Sequence, residues 1–173
     1  FMIRTMDVEL PIRIKPQPDL TTCGPTCLHA ILNYYQHQIT LREVVDSIQT
    51  LEQGGTLAVF LACAALKRGF SATIYTYNLQ MFDPSWFKSN KINISAKLEA
   101  QARAKSGDLK LQHATEGYLE FLRLGGKLRF VDLTTRLIRG IIRRGLPILT
   151  GLSSTYLYNE QREYGPKDES DDI

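Results

Sequence analysis

Cysteine and histidine are both scarce in this chain, with three of each among 173 residues. Three cysteines, an odd number, do not make a disulfide framework, and they point to a reducing compartment. The thiols and imidazoles do not fall into the paired spacing of a metal ligand set, so no metal and no cofactor is expected. Charge of either sign is not in large excess: 21 basic residues against 18 acidic ones leave a net charge of +3. The basic residues are scattered rather than gathered in a stripe, which argues against a nucleic-acid partner. No apolar run approaches a membrane span. The longest, Leu57 to Leu66, is broken by alanines and ends at Lys67-Arg68. The opening residues, Phe1 to Leu10, include Arg4, Asp7 and Glu9 and have no apolar centre, so no secretory signal is read there. A cytoplasmic protein is the expectation. What remains is ordinary globular material, 43% hydrophobic and 23% charged, and long enough for one domain with a real core.

Helices dominate the first part of the pattern. Met6 to Lys15 alternates loosely and reads as a short strand or an extended arm. Pro16-Gln17-Pro18 is stiff and non-helical, because proline fixes its own φ and pushes its predecessor toward extended backbone. Asp19 to Thr22 reads as a turn. Cys23-Gly24-Pro25 opens a helix, proline being at home in a first turn. Cys27, Leu28, Ile31, Leu32 and Tyr35 form its apolar face, with Thr26, His29, Asn33 and Gln36 opposite. Thr40-Leu41-Arg42-Glu43 is a capping box for a second, short helix. A third starts at Gly54-Gly55-Thr56, runs to Arg68 and stops at Gly69. Ser71 to Tyr77 reads as a strand and Asn78 to Trp86 as a loop. Helices are expected over Ile94–Lys105, Leu111–Leu124 and Thr134–Arg144. Strands are expected at Lys127–Val131 and, buried, at Pro147–Leu152. Tyr156 to Ile173 is polar, and Asp168 to Asp172 reads as an acidic, solvated loop. Helices first and strands late predict an α+β fold.

One constellation carries chemistry. A thiol attacks as thiolate, and a helix N-terminus favours that form. Cys23 stands at such a terminus. A tetrahedral oxyanion needs donors that are in place before it forms. The Cys23 backbone N–H and the side-chain amide of Gln17, six residues upstream between two prolines, suit that task. Gly24 leaves room for a substrate backbone beside the sulfur. Cys27, one helical turn on, and Cys63, in an alanine-rich helix face, read as core.

Gln17, Cys23-Gly24-Pro25-Thr26-Cys27-Leu28, the helix to Tyr34-Tyr35, and Gly55-Thr56-Leu57 resemble the double-glycine-leader (bacteriocin-processing) cysteine peptidases of the papain-like superfamily, over about Gln17 to Tyr75. The resemblance implies a papain-like fold, a helical part followed by strands of an antiparallel sheet. It also implies a peptide or protein substrate, Cys23 as nucleophile and Gln17 as oxyanion donor. In that family a histidine and an aspartate from later strands complete the site, the histidine typically in a Gly-His segment, and this sequence has no such segment. His29 lies ~9 Å along the helix from Cys23 at ~1.5 Å per residue and is expected to face solvent. His37 follows the helix as surface loop, and His113 would reach Cys23 only through tertiary folding. The expectation is one domain over residues 1–173 that stops before the histidine strand. Two further readings stay open: a degenerate peptidase fold that binds a peptide without cutting it, and a transpeptidase resembling phytochelatin synthase, which shares the glutamine, Cys-Gly and helix pattern.

Overall fold

The computed structural model describes residues 9–50, 55–152 and 159, together with the backbone of two short strands at 162–164 and 169–171. The first helix, α1, is Cys23–Tyr34. The second, α2, is Leu41–Asp46. Its capping box is complete: Thr40 Oγ1 accepts the Glu43 N–H at 3.2 Å, and Glu43 Oε2 accepts the Thr40 N–H at 2.8 Å. The third helix, α3, is Ala58–Lys67. It ends where Gly69 takes φ +83°, a left-handed conformation that glycine reaches without steric cost.

Strand β1, Thr73–Thr76, follows. The stretch expected as loop contains a 3₁₀ turn at Pro84–Phe87, with Asp83 accepting the Ser85 N–H at 2.7 Å. Two helices come next, α4 at Ile94–Ala104 and α5 at Leu109–Arg123. They are capped by Asn93 and Asp108, whose side chains accept the N–H groups of Ala96 and Leu111. Strand β2 is Lys127–Phe130, and α6 is Thr135–Ile142. Strands β3, Arg162–Tyr164, and β4, Glu169–Asp171, form an antiparallel pair within the polar stretch, β4 lying where Asp168–Asp172 read as a loop.

The mixed helix-and-strand class agrees with the α+β expectation, but the sheet does not. β1 and β2 pair in parallel, Thr73 opposite Lys127 through Thr76 opposite Phe130. The cause is the connection. Two helices, α4 and α5, carry the chain back before β2 enters, and such a crossover is what parallel pairing needs. Pro147–Leu152 is a second correction. It forms no strand, and its residues range from half-buried to exposed. An apolar composition makes a strand only where a neighbour offers a ladder, and none pairs with it among the described residues. Of the arm expected over Met6–Lys15, residues 9–15 form no strand and 6–8 lie outside the described residues.

Helix α3 is the centre of the main core. It packs on α1 on one side and α5 on the other. α3 and α5 run in the same direction. Phe60 packs against His113 with ring centroids 4.8 Å apart and the rings tilted, Cys63 Sγ lies 3.6 Å from the Gly117 carbonyl, and Lys67 Nζ lies 2.9 Å from Glu120. Leu28, Leu32, Val44, Phe60, Leu61 and Phe121 belong to this core. A second cluster around Met81, Phe82, Leu98 and Leu111 fills the space under the crossover. Tyr34 Oη donates to the Gly145 carbonyl at 3.0 Å and ties the end of α1 to the turn after α6.

Candidate functional site

The segment Pro16-Gln17-Pro18 is exposed and belongs to no helix or strand. The chain then bends at Asp19 and turns through Leu20 and Thr21 into α1. Side-chain hydrogen bonds close that turn. Asp19 Oδ1 accepts both the N–H and the hydroxyl of Thr21, each at 2.7 Å. Thr22 Oγ1 donates to the Asp19 carbonyl at 3.2 Å and accepts the Asp19 N–H at 3.4 Å. The turn expected over Asp19–Thr22 is there. Its locking residues Asp19, Thr21 and Thr22 were missed as part of the site, although an aspartate two residues before a threonine is a recognisable Asx-turn signal.

Because the Thr22 hydroxyl is used inside the turn, α1 has no side-chain cap. The first turn of any helix leaves its N–H groups without intrahelical partners. Here Pro25 has no N–H to offer, and the Thr26 N–H is taken by the Thr22 carbonyl at 3.0 Å. The N–H groups of Cys23 and Gly24 have no acceptor among the described residues. Cys23 is exposed at the same end. A thiol therefore stands at the positive end of a helix beside two unpaired backbone donors. That is the arrangement a nucleophile and a developing oxyanion require. Gln17 stands at the other end of the turn, and its side chain makes no hydrogen bond among the described residues.

Gly24 also faces α3. A Cβ built there would lie 3.0 Å from Leu61 Cδ1, so the missing side chain lets α1 close on α3.

The other two cysteines are less exposed than Cys23. Burial raises the Cys27 thiol above its ordinary value, and the neighbouring Cys23 adds to that. Burial pushes Cys63 up to about 11, with a further contribution from Glu120.

One of the three histidines does not sit where it was expected. His29 is buried, 2% exposed, rather than facing solvent. The side of α1 that read as polar is covered at His29, where the chain after α1 folds back and places the Ile39 carbonyl 3.1 Å from His29 Nε2, while Asn33 and Gln36 stay exposed. Thr26 on that side is buried as well, 2% exposed. His37 packs edge-on against Phe70 at 5.6 Å, and His113 lies against Phe60 with its Nδ1 4.0 Å from Glu116. No histidine hydrogen-bonds the Cys23 sulfur among the described residues. Nor, among those residues, do three or more histidine, cysteine or acidic side chains gather as a metal site. No helix of the described residues is long and apolar enough to cross a membrane.

An exposed thiol at a helix N-terminus, preceded by a glutamine between two prolines, is the candidate site. The chain belongs to the peptidase C39 family, whose family model matches residues 12–99 and so spans the Gln17 segment, α1, α2, α3 and β1. This is the family of double-glycine-leader cysteine peptidases in the papain-like clan. No curated protein and no solved structure matches the chain.

Proposed function

We propose that the protein is a cysteine peptidase that cleaves a peptide bond through a thioester on Cys23. The observation that supports this reading is the end of α1: an exposed thiol next to the N–H groups of Cys23 and Gly24, which have no acceptor among the described residues. In this reading the Cys23 thiolate attacks the scissile carbonyl carbon, and the carbonyl π electrons move onto oxygen. The resulting oxyanion is met by the Cys23 N–H and the Gln17 amide. Collapse expels the amine, which takes a proton, and leaves an acyl group on sulfur. Water then attacks the thioester, the acyl group leaves as a carboxylic acid, and the C–S bond breaks to return the thiol. The base that removes the thiol proton has no residue assigned to it.

The test is acyl transfer from an activated peptide ester that ends in Gly-Gly, followed by intact-mass analysis and peptide mapping. The proposal predicts a Cys23 adduct that water discharges and that Cys23→Ser abolishes. Binding of the peptide without any adduct would make the domain a non-catalytic peptide-binding module. Discharge to an added amine in preference to water would make it a transpeptidase.

A further inference from the structure

Between Gln17 and Cys23 the chain has little freedom left. Pro18 has its φ fixed by its ring. Asp19, Leu20, Thr21 and Thr22 form the closed turn, and Cys23 follows directly. We propose that Asp19 is the positioning residue of this site: its carboxylate holds the turn shut and thereby fixes the Gln17 segment relative to the Cys23 thiol. The inference rests on the reading of Gln17 and Cys23 as oxyanion donor and nucleophile.

The hydrogen bonds support it from two directions. One carboxylate oxygen, Asp19 Oδ1, takes both donors of Thr21 at 2.7 Å. The Thr22 hydroxyl, on a residue only 5% exposed, clamps the Asp19 backbone at both its carbonyl and its N–H. The clamp has a cost for the helix, since a threonine at the N-cap ordinarily satisfies an N–H of the first turn. Here that hydroxyl faces the turn, and the Cys23 and Gly24 N–H groups have no acceptor among the described residues. The Thr21 bonds hold the Asp19 carboxyl below its ordinary range, so at neutral pH it is an acceptor only. No core residue depends on Asp19, which is exposed. A loss on replacing it would therefore report on the turn rather than on the fold.

The experiment compares Asp19→Asn with Asp19→Ala in the full chain. Both lack the charge, and only asparagine keeps an oxygen for Thr21. The probe is a peptide aldehyde ending in Gly-glycinal. The Cys23 sulfur bonds its carbonyl carbon and the thiol proton passes to the carbonyl oxygen, so the hemithioacetal oxygen sits where the oxyanion would. Affinity should be weaker in Asp19→Ala than in Asp19→Asn by about fivefold, roughly one hydrogen bond's worth, with equal melting temperatures. Thr21→Val, which keeps the N–H and loses the hydroxyl, should fall between them. Indistinguishable affinities for the Asn and Ala variants would overturn the inference. If the unaltered chain fails to form the Cys23 hemithioacetal, the reading of the site itself falls, whatever Asp19 does.

Discussion

His29 Nε2 lies 3.1 Å from the carbonyl oxygen of Ile39, and this contact joins α1 to the residues that lead into α2. A carbonyl only accepts, so Nε2 carries the hydrogen. The Asn33 amide nitrogen lies 3.3 Å from Nδ1 and 3.0 Å from Nε2, and with the hydrogen on Nε2 only Nδ1 can accept from it. Both ring nitrogens are thereby satisfied inside the fold, and His29 acts as a fastener.

His29→Ala should therefore destabilise the protein by about 2–4 kcal/mol, from a vacated buried volume and an unpaired carbonyl. The urea midpoint should fall with little change in slope. Alkylation of Cys23 should continue at its original rate under conditions where the variant is folded. A stable variant in which Cys23 had lost its reactivity would instead make His29 part of the site.

The seam between α3 and α5 carries a second prediction. A Cβ built at Gly117 would lie 2.7 Å from Val59 Cγ1 and 2.8 Å from Phe60 Cε1. Both neighbours are buried, Val59 at 2% and Phe60 at 5% exposure. Gly117→Ala gains up to ~1 kcal/mol of helix propensity but overpacks a closed seam at a cost of about 1–3 kcal/mol. The packing cost should win, because two buried side chains must move at once. A thermal melt reads the net loss, at roughly 2–4 °C per kcal/mol for a chain of this size. An unchanged or raised Tm would show that α3 and α5 are not held this close.

Local chemistry made some of this fold legible in the sequence. Thr40 and Glu43 announce the start of α2, Gly69 the stop after α3, and Cys23-Gly24-Pro25 the start of α1, because each signal acts within one helical turn. His29 was misread because a helical wheel shows which residues share a side and not what will cover that side. The cover here is the chain around Ile39, ten residues on. The direction of β2 depends on how α4 and α5 pack, which no strand pattern encodes. Pro147–Leu152 has strand-like residues, and the contact that holds its neighbourhood, Tyr34 to Gly145, spans 111 positions. For the site, the helix start at Cys23 and the turn before it were legible. The hydrogen bonds that Asp19 and Thr22 make across that turn were not drawn from the pattern.

The three thiols should react in a fixed order, which burial and charge decide. Cys23 is exposed at the N-terminus of α1, open to the reagent. Cys27 is half-buried, and burial followed by the proximity of Cys23 raises its thiol above the ordinary value. Cys63 is 3% exposed in the α3–α5 seam, and burial pushes it up to about 11. Brief treatment with iodoacetamide near neutral pH, read by peptide mapping, should label Cys23 first and Cys63 only on unfolding. The same shift makes a stability statement. A thiol whose pKa is higher in the folded state than in the unfolded chain contributes stability below its unfolded value. That contribution is lost as pH rises from the ordinary 9.0 through about 11. Unfolding midpoints should accordingly decline over that alkaline window, and Cys63→Ala should flatten the decline, whatever its cost at neutral pH. A map in which Cys27 or Cys63 is labelled ahead of Cys23 would remove the case for Cys23 as nucleophile, since neither helix position nor exposure would then govern which sulfur attacks.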